Sequence, residues 1–135
     1  MNSFRHAAQK GHIEAQFLLG KCYAYGYGVK SDQKEAAKWF RMAADQEYAE
    51  AQLMLGEYYF YGKSVEKNEV EAVKWYRKAA EQGLAEGQYN YGYCYYYGKG
   101  VKKDEDEAVK WLREAAKKGN TNAQNFLRNL GINEP

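Results

Sequence analysis

Trp39, Trp75 and Trp111 stand at equal intervals (75 − 39 = 111 − 75 = 36), and the sequence around each repeats in the same phase. A period of roughly 20 to 50 residues marks a repeat array, in which each unit is one supersecondary element that buries its apolar face only against its neighbours. Residues 15–50, 51–86 and 87–122 align without a gap, the third reading GQYNYGYCYYYGKGVKKDEDEAVKWLREAAKKGNTN. A half unit, 1–14, precedes them, with Phe4, Arg5, Ala7 and Ala8 in phase with Phe40, Arg41, Ala43 and Ala44, and a capping half unit, 123–135, follows. Ser3 in the tryptophan phase, and Asn125, Arg128 and Asn129 in the last segment, put polar groups where a full unit would bury apolar or small ones. Both ends therefore read as caps, and residues 1–135 as a single domain, either self-sufficient or a capped fragment of a larger repeat protein.

Each unit holds two helical stretches. Ala15, Leu19 and Tyr23, repeated as Ala51, Leu55 and Tyr59, trace the stripe of an amphipathic helix over about residues 13–25, here helix A. Gly26, Gly62 and Gly98 close it, since glycine takes the left-handed conformation without cost. A loop follows, with Val29, Val65 and Val101 as its one apolar position. Asp32, Asn68 and Asp104 then supply N-caps, and Glu35, Glu71 and Glu107 complete capping boxes. Helix B buries Ala36, Trp39, Phe40 and Ala43 and their equivalents, and turns its Lys, Arg and Glu residues to water. It ends at Gly11, Gly83 and Gly119, with Glu47 in that phase in the first full unit. The glycines all read as helix punctuation. Tyr23, Tyr59 and Tyr95 read as core, and Tyr25, Tyr61 and Tyr97 as packed under the loop.

Composition bounds the partners. Twenty basic and 18 acidic residues leave a net charge of +2 and a pI near 8.4, which names no electrostatic target. No apolar run approaches the roughly 20 residues of a membrane span, and MNSFRHAAQK has no secretory core, so a cytoplasmic location is expected, or a secreted or periplasmic one if a signal has been removed. Cys22 and Cys94 share a phase two units apart (94 − 22 = 72), too far for a disulfide at helix spacings of roughly 8 to 10 Å, and read as half-buried free thiols. His6 and His12, the only histidines, have no ligand cluster around them. No G-x-S-x-G, Walker loop or dinucleotide fingerprint is present, so no enzyme, cofactor or metal is expected.

The pattern A-Q-x-x-L-G-x-x-Y-x-Y-G-x-x-V, then an Asp or Asn cap, A-x-K-W and A-A, at a period of 36, resembles the Sel-one-like repeat, a branch of the tetratricopeptide-like helical repeats. The resemblance covers nearly the whole chain. Departures are Ser64 where Gly28 and Gly100 stand, Gly87 for the alanine that opens a unit, and Glu47. It implies an all-α fold, an α/α superhelix built as a right-handed solenoid of antiparallel helix pairs, and an adaptor that holds proteins together. Some cysteine-rich members have been linked to β-lactam hydrolysis, with units stapled by cysteines eight residues apart. Here those pairs are Ala44 with Gln52, Ala80 with Gln88 and Ala116 with Gln124, which weakens that alternative.

Outward positions that change between units are the candidates for recognition. In helix A they fall at i, i+3, i+7 and i+10, one face, which in related arrays lines a concave groove. The set is Glu14, Phe17, Lys21 and Ala24, then Glu50, Leu53, Glu57 and Phe60, then Glu86, Tyr89, Tyr93 and Tyr96. Three tyrosines on one stripe suit a peptide or partner protein, because tyrosine buries a large ring and keeps a hydroxyl for hydrogen bonding. Glu14, Glu50 and Glu86 form an acidic row that also complements the helix dipoles and argues against a nucleic-acid backbone. The expected molecule is a monomer that binds a protein or peptide, with no nucleic acid and no membrane; an inert spacer is the remaining alternative.

Overall fold

The computed structural model describes residues 2–132, without the side chains of Asn2 and Phe4. Expectations for Phe4, Met1 and residues 133–135 therefore lie outside the described residues. Among these there are eight helices and no strand: α1 Asn2–Gln9, α2 Ile13–Tyr25, α3 Gln33–Asp45, α4 Ala49–Tyr61, α5 Glu69–Glu81, α6 Ala85–Tyr97, α7 Glu105–Lys117 and α8 Thr121–Asn129. Contacts divide the chain into two compact units, one ending at Lys67 and one starting at Asn68. In the first α1 packs on α2, α2 on α3 and α3 on α4; in the second α5 packs on α6, α6 on α7 and α7 on α8.

Helix bounds follow from caps. Asp32 Oδ1 accepts from the amides of Lys34 and Glu35 at 3.1 and 3.2 Å, Asn68 from Glu71 at 3.0 Å and Asp104 from Glu107 at 3.0 Å. Two capping boxes stay half made: the Asp32 amide already donates to the Tyr23 carbonyl (2.9 Å) and that of Asp104 to Tyr95 (3.0 Å), so Glu35 and Glu107 have no cap amide to reach. Glu35, Glu71 and Glu107 face Lys38, Lys74 and Lys110, at 4.0, 3.1 and 3.7 Å.

The turn after each helix B repeats one hydrogen-bonding pattern. His12, Tyr48, Leu84 and Asn120 donate to Ala7, Ala43, Ala79 and Ala115, each five residues back, at 3.1 to 3.2 Å. This needs a left-handed residue just before the donor. Gly11, Gly83 and Gly119 supply it at φ 89°, 91° and 90°, and Glu47 is held in the same region at φ 69°.

A glutamine spans this turn in every repeat, buried as Gln16, Gln52 and Gln88 and half-buried as Gln124. Gln16, Gln52, Gln88 and Gln124 donate from Nε2 to the carbonyls of Ala8, Ala44, Ala80 and Ala116 at 3.3, 3.3, 3.3 and 3.0 Å. These are the pairs, eight residues apart, where stapling cysteines are missing. An apolar sequence scan passes over them because glutamine is ordinarily a surface residue, yet Gln52 is fully buried.

Glycine is not only punctuation, contrary to the expectation above. Gly20, Gly56, Gly87 and Gly92 lie inside helices A. A Cβ on Gly20 would stand 2.7 Å from the Phe40 ring, and one on Gly92 3.0 Å from Leu112 Cγ, so helix B crosses helix A over a missing side chain. A Cβ on Gly100 would run into the Glu69 carbonyl. Ser64, in the same phase at φ 59°, instead turns its hydroxyl to the Gln33 carbonyl at 3.1 Å.

The tyrosines sort differently from expectation. Tyr23, Tyr59 and Tyr95 are half-buried at the helix edge; Arg5 donates to Tyr23 at 2.9 Å and Arg41 to Tyr59 at 2.8 Å. Tyr25, Tyr61 and Tyr97 are exposed, by 52, 72 and 52%. The deeply buried rings are Tyr58, which donates to Gln33 Oε1, and Tyr91 and Tyr76. Cys22 and Cys94 are free and buried rather than half-buried.

Glu47→Gly is expected to stabilise the protein by about 1 kcal/mol, because the left-handed backbone strains any side chain, and to raise Tm by a few degrees in a thermal melt. An unchanged or lower Tm would show that the Glu47 side chain offsets that strain. Burial pushes the Tyr58 hydroxyl up to about 12, with Tyr25 and Glu57 adding to it. Tyrosine in an unfolded chain titrates near 10, so the folded state holds this proton longer. The stabilisation is complete below about pH 10 and is lost as pH rises through 12. Melts across that window should show a falling Tm whose slope is shallower in Tyr58→Phe; equal slopes would refute the assignment.

Candidate functional site

In the second unit the helix-A face of α6 carries Glu86, Tyr89, Tyr93 and Tyr96. Helix α8 brings Phe126 against the three tyrosines, with ring centroids 6.4, 6.4 and 5.1 Å away, each edge to face. Tyr97 closes the cluster, 4.8 Å from Tyr93, 5.0 Å from Tyr96 and 6.1 Å from Phe126. Edge-to-face pairs add about 0.5–1.5 kcal/mol each beyond burial, so the rings are held in place rather than loose on the surface. Tyr89, Tyr93 and Tyr96 stay half-exposed. Beside them a recess of about 140 Å³ is lined by Tyr96, Tyr97, Phe126, Asn129 and Leu130, none of them charged.

Periodicity brings out three of these five rings. Tyr97 follows Tyr93 at i+4 on the same face, a spacing that could have added it. Phe126 falls one residue off the groove phase (125 − 36 = 89), so the repeat gives no signal for it.

The corresponding face of the first unit differs. Glu14 and Glu50 are exposed in the first turns of α2 and α4, where a carboxylate complements the helix dipole. Phe17 is buried against Phe40 and Tyr48 at 5.8 and 5.1 Å, and Leu53 is 6% exposed, so neither offers much surface. Lys21 lies half-buried with its Nζ 5.5 Å from the Phe17 ring; Ala24, Glu57 and Phe60 are also half-buried. The exposed rings of this unit are Tyr25 and Tyr27, 5.5 Å apart, and Tyr61. Burial raises the Tyr48 hydroxyl above its ordinary value, and Glu50 and Glu14 add to the shift.

Burial pushes the Cys94 thiol up to about 12, helped by Glu69, which keeps it protonated at neutral pH. His6 and His12 are exposed, and among the described residues no three His, Cys, Asp or Glu side chains group as metal ligands. No described helix is long and apolar enough to cross a membrane.

The Sel1 repeat family model matches residues 13–48, 49–84 and 85–120, three contiguous matches of the same 36-residue period. A Sel1 repeat protein from Oxalobacter formigenes is 37% identical, over 94% of this chain and 96% of its own, with a TM-score of 0.87. The protein c5321, a protective antigen present in uropathogenic Escherichia coli strains and displaying an SLR fold, is 36% identical over 99% of this chain, with a TM-score of 0.92. This chain spans only 29% of that protein. The cysteine rich protein B of Helicobacter pylori is 27% identical over 93% of this chain and 95% of its own, with a TM-score of 0.75. No curated protein sequence matches significantly. With three repeats matched in register over an all-α fold of packed helix pairs, the chain belongs to the Sel1-repeat family.

Proposed function

We propose that this chain is a non-enzymatic protein-interaction scaffold that holds a peptide or partner protein on its helix-A faces, with Tyr89, Tyr93 and Tyr96 as the principal anchors. The observation that carries this reading is the ring cluster of the second unit: three half-exposed tyrosines fixed edge to face around Phe126, beside an uncharged recess. Tyrosine contributes contact area at small entropic cost, and a pre-packed cluster loses less freedom on binding than mobile side chains do. Membership of a repeat family commonly used for protein interaction supports the same reading.

A ligand for such a surface presents apolar or aromatic anchors from one face of a helix or from an extended segment. Glu14, Glu50 and Glu86 are exposed at helix-A N-termini, which disfavours a nucleic-acid backbone. In a pull-down from lysate, the natural chain is expected to retain a protein partner that the Tyr89→Ala, Tyr93→Ala and Tyr96→Ala triple variant loses, with circular dichroism confirming that both are folded. Equal capture by both would move recognition off this face. Capture of RNA that disappears with added salt would contradict the protein-binding reading.

A further inference from the structure

A second surface lies in the first unit, lined by none of the groove positions of helix A. Between α3, α4 and the loop after α4 opens a cleft of about 500 Å³ whose exposed surface is mostly apolar. Ala37, Met42 and Val65 line its apolar side above the buried Leu55, and Lys34, Lys38 and Arg41 line it at i, i+4 and i+7 along α3. No carboxylate is among its lining residues. The nearest acids on α3 are Glu35 and Asp45. Glu35 stands 4.0 Å from Lys38 and Asp45 3.9 Å from Arg41, at the outer limit of an ion pair and on solvated side chains. Such pairs are worth little and re-form readily with a new partner.

The repeat supplies its own control. Lys38 and Arg41 recur in every unit as Lys74 with Arg77 and Lys110 with Arg113, so those positions alone distinguish nothing. Lys34 is replaced by Val70 and Asp106, and Met42 by Lys78 and Glu114. The corresponding cleft of the second unit, along α7, is lined by Asp106 and Glu114 as well as Lys110, Arg113 and Lys117, which makes its charge mixed. Of these two clefts, the one along α3 joins an apolar floor to a rim whose charged residues are all cationic.

We propose that the α3–α4 cleft is a second recognition site, and that it takes an acidic peptide segment in which an aliphatic or aromatic side chain is flanked by carboxylates. The apolar residue enters between Met42 and Val65, and the carboxylates on either side pair with Lys34 and Lys38. Arg41 already donates to the Tyr59 hydroxyl at 2.8 Å and so forms a fixed part of the wall. A bare polyanion would leave the floor unused, and an uncharged apolar peptide would leave the lysines unpaired; the combination satisfies both.

The test is fluorescence anisotropy of the full chain with a labelled peptide of alternating glutamate and leucine, beside the lysine-for-glutamate peptide. The acidic peptide is expected to bind and the basic one to fail. The Lys34→Glu, Lys38→Glu double variant should lose affinity by about tenfold or more, as reversal of directly paired charges does. Met42→Gln should also weaken binding. Lys110→Glu and the tyrosine triple variant should leave it unchanged, which separates this site from the tyrosine face. The two lysines are exposed, so circular dichroism of the double variant should match the natural chain. Three results would overturn the proposal: no binding of the acidic peptide, equal binding by the double variant, or loss of binding in the tyrosine triple variant.

Discussion

One glutamine hydrogen bond, buried in three of its four copies, recurs wherever one repeat passes to the next. The glutamine amide donates to the carbonyl of the alanine eight residues before it, four times along the chain. Each of those carbonyls also accepts from the left-handed residue of the turn, Gly11, Glu47, Gly83 or Gly119, at 2.9 to 3.0 Å. The bond ties the end of helix B to the first turn of the next helix A, and so sets the angle at which the chain re-enters. With that angle set, helix A is aligned to let Gly20 face Phe40 and Gly92 face Leu112 at close contact. The packing that carries most of the stability thus depends on a polar contact that contributes little energy by itself. In the first unit Gln46 adds a further donor to Gln16 Oε1 at 2.7 Å; in the second Lys118 stands in the Gln46 phase and Gln88 Oε1 is left without a hydrogen-bond partner.

Because the framework is carried by positions that recur, those that vary are released for other uses. Leu53 and Tyr89 share a phase, yet Leu53 is buried and Tyr89 remains half-exposed beside Phe126. Lys34 and Asp106 share another, on clefts of different charge. A scaffold of this kind gains recognition surfaces by substitution at single phases without disturbing the turn or the helix crossing.

Much of this was legible in the residues. The 36-residue period, the helix limits from Ile13 to Tyr25, the side-chain caps at Asp32, Asn68 and Asp104 and the strained backbone at Glu47 follow from local rules, since each depends on a few neighbouring residues. What periodicity could not supply is the rank of burial on helix A. Apolar and aromatic residues are spread around that helix rather than confined to the one stripe expected, so Tyr23 and Tyr58 look equally suited to the core, and their tertiary partners Arg5 and Gln33 separate them. Gly20 and Gly92 look like breakers until a helix crosses them, and Phe126 joins the tyrosine cluster through a tertiary contact outside the phase. Tertiary packing decided each of these against the local signal.

The claim that the turn-spanning glutamine sets the repeat is tested most directly by urea unfolding of Gln88→Met, which keeps the shape of the side chain and removes its one donated bond to Ala80. The account predicts a loss of about 1 kcal/mol with an unchanged denaturant slope, because a buried carbonyl keeps one partner and loses the other. An unfolding midpoint equal to or above that of the natural chain would contradict it, and would place the alignment of the helices in apolar packing alone.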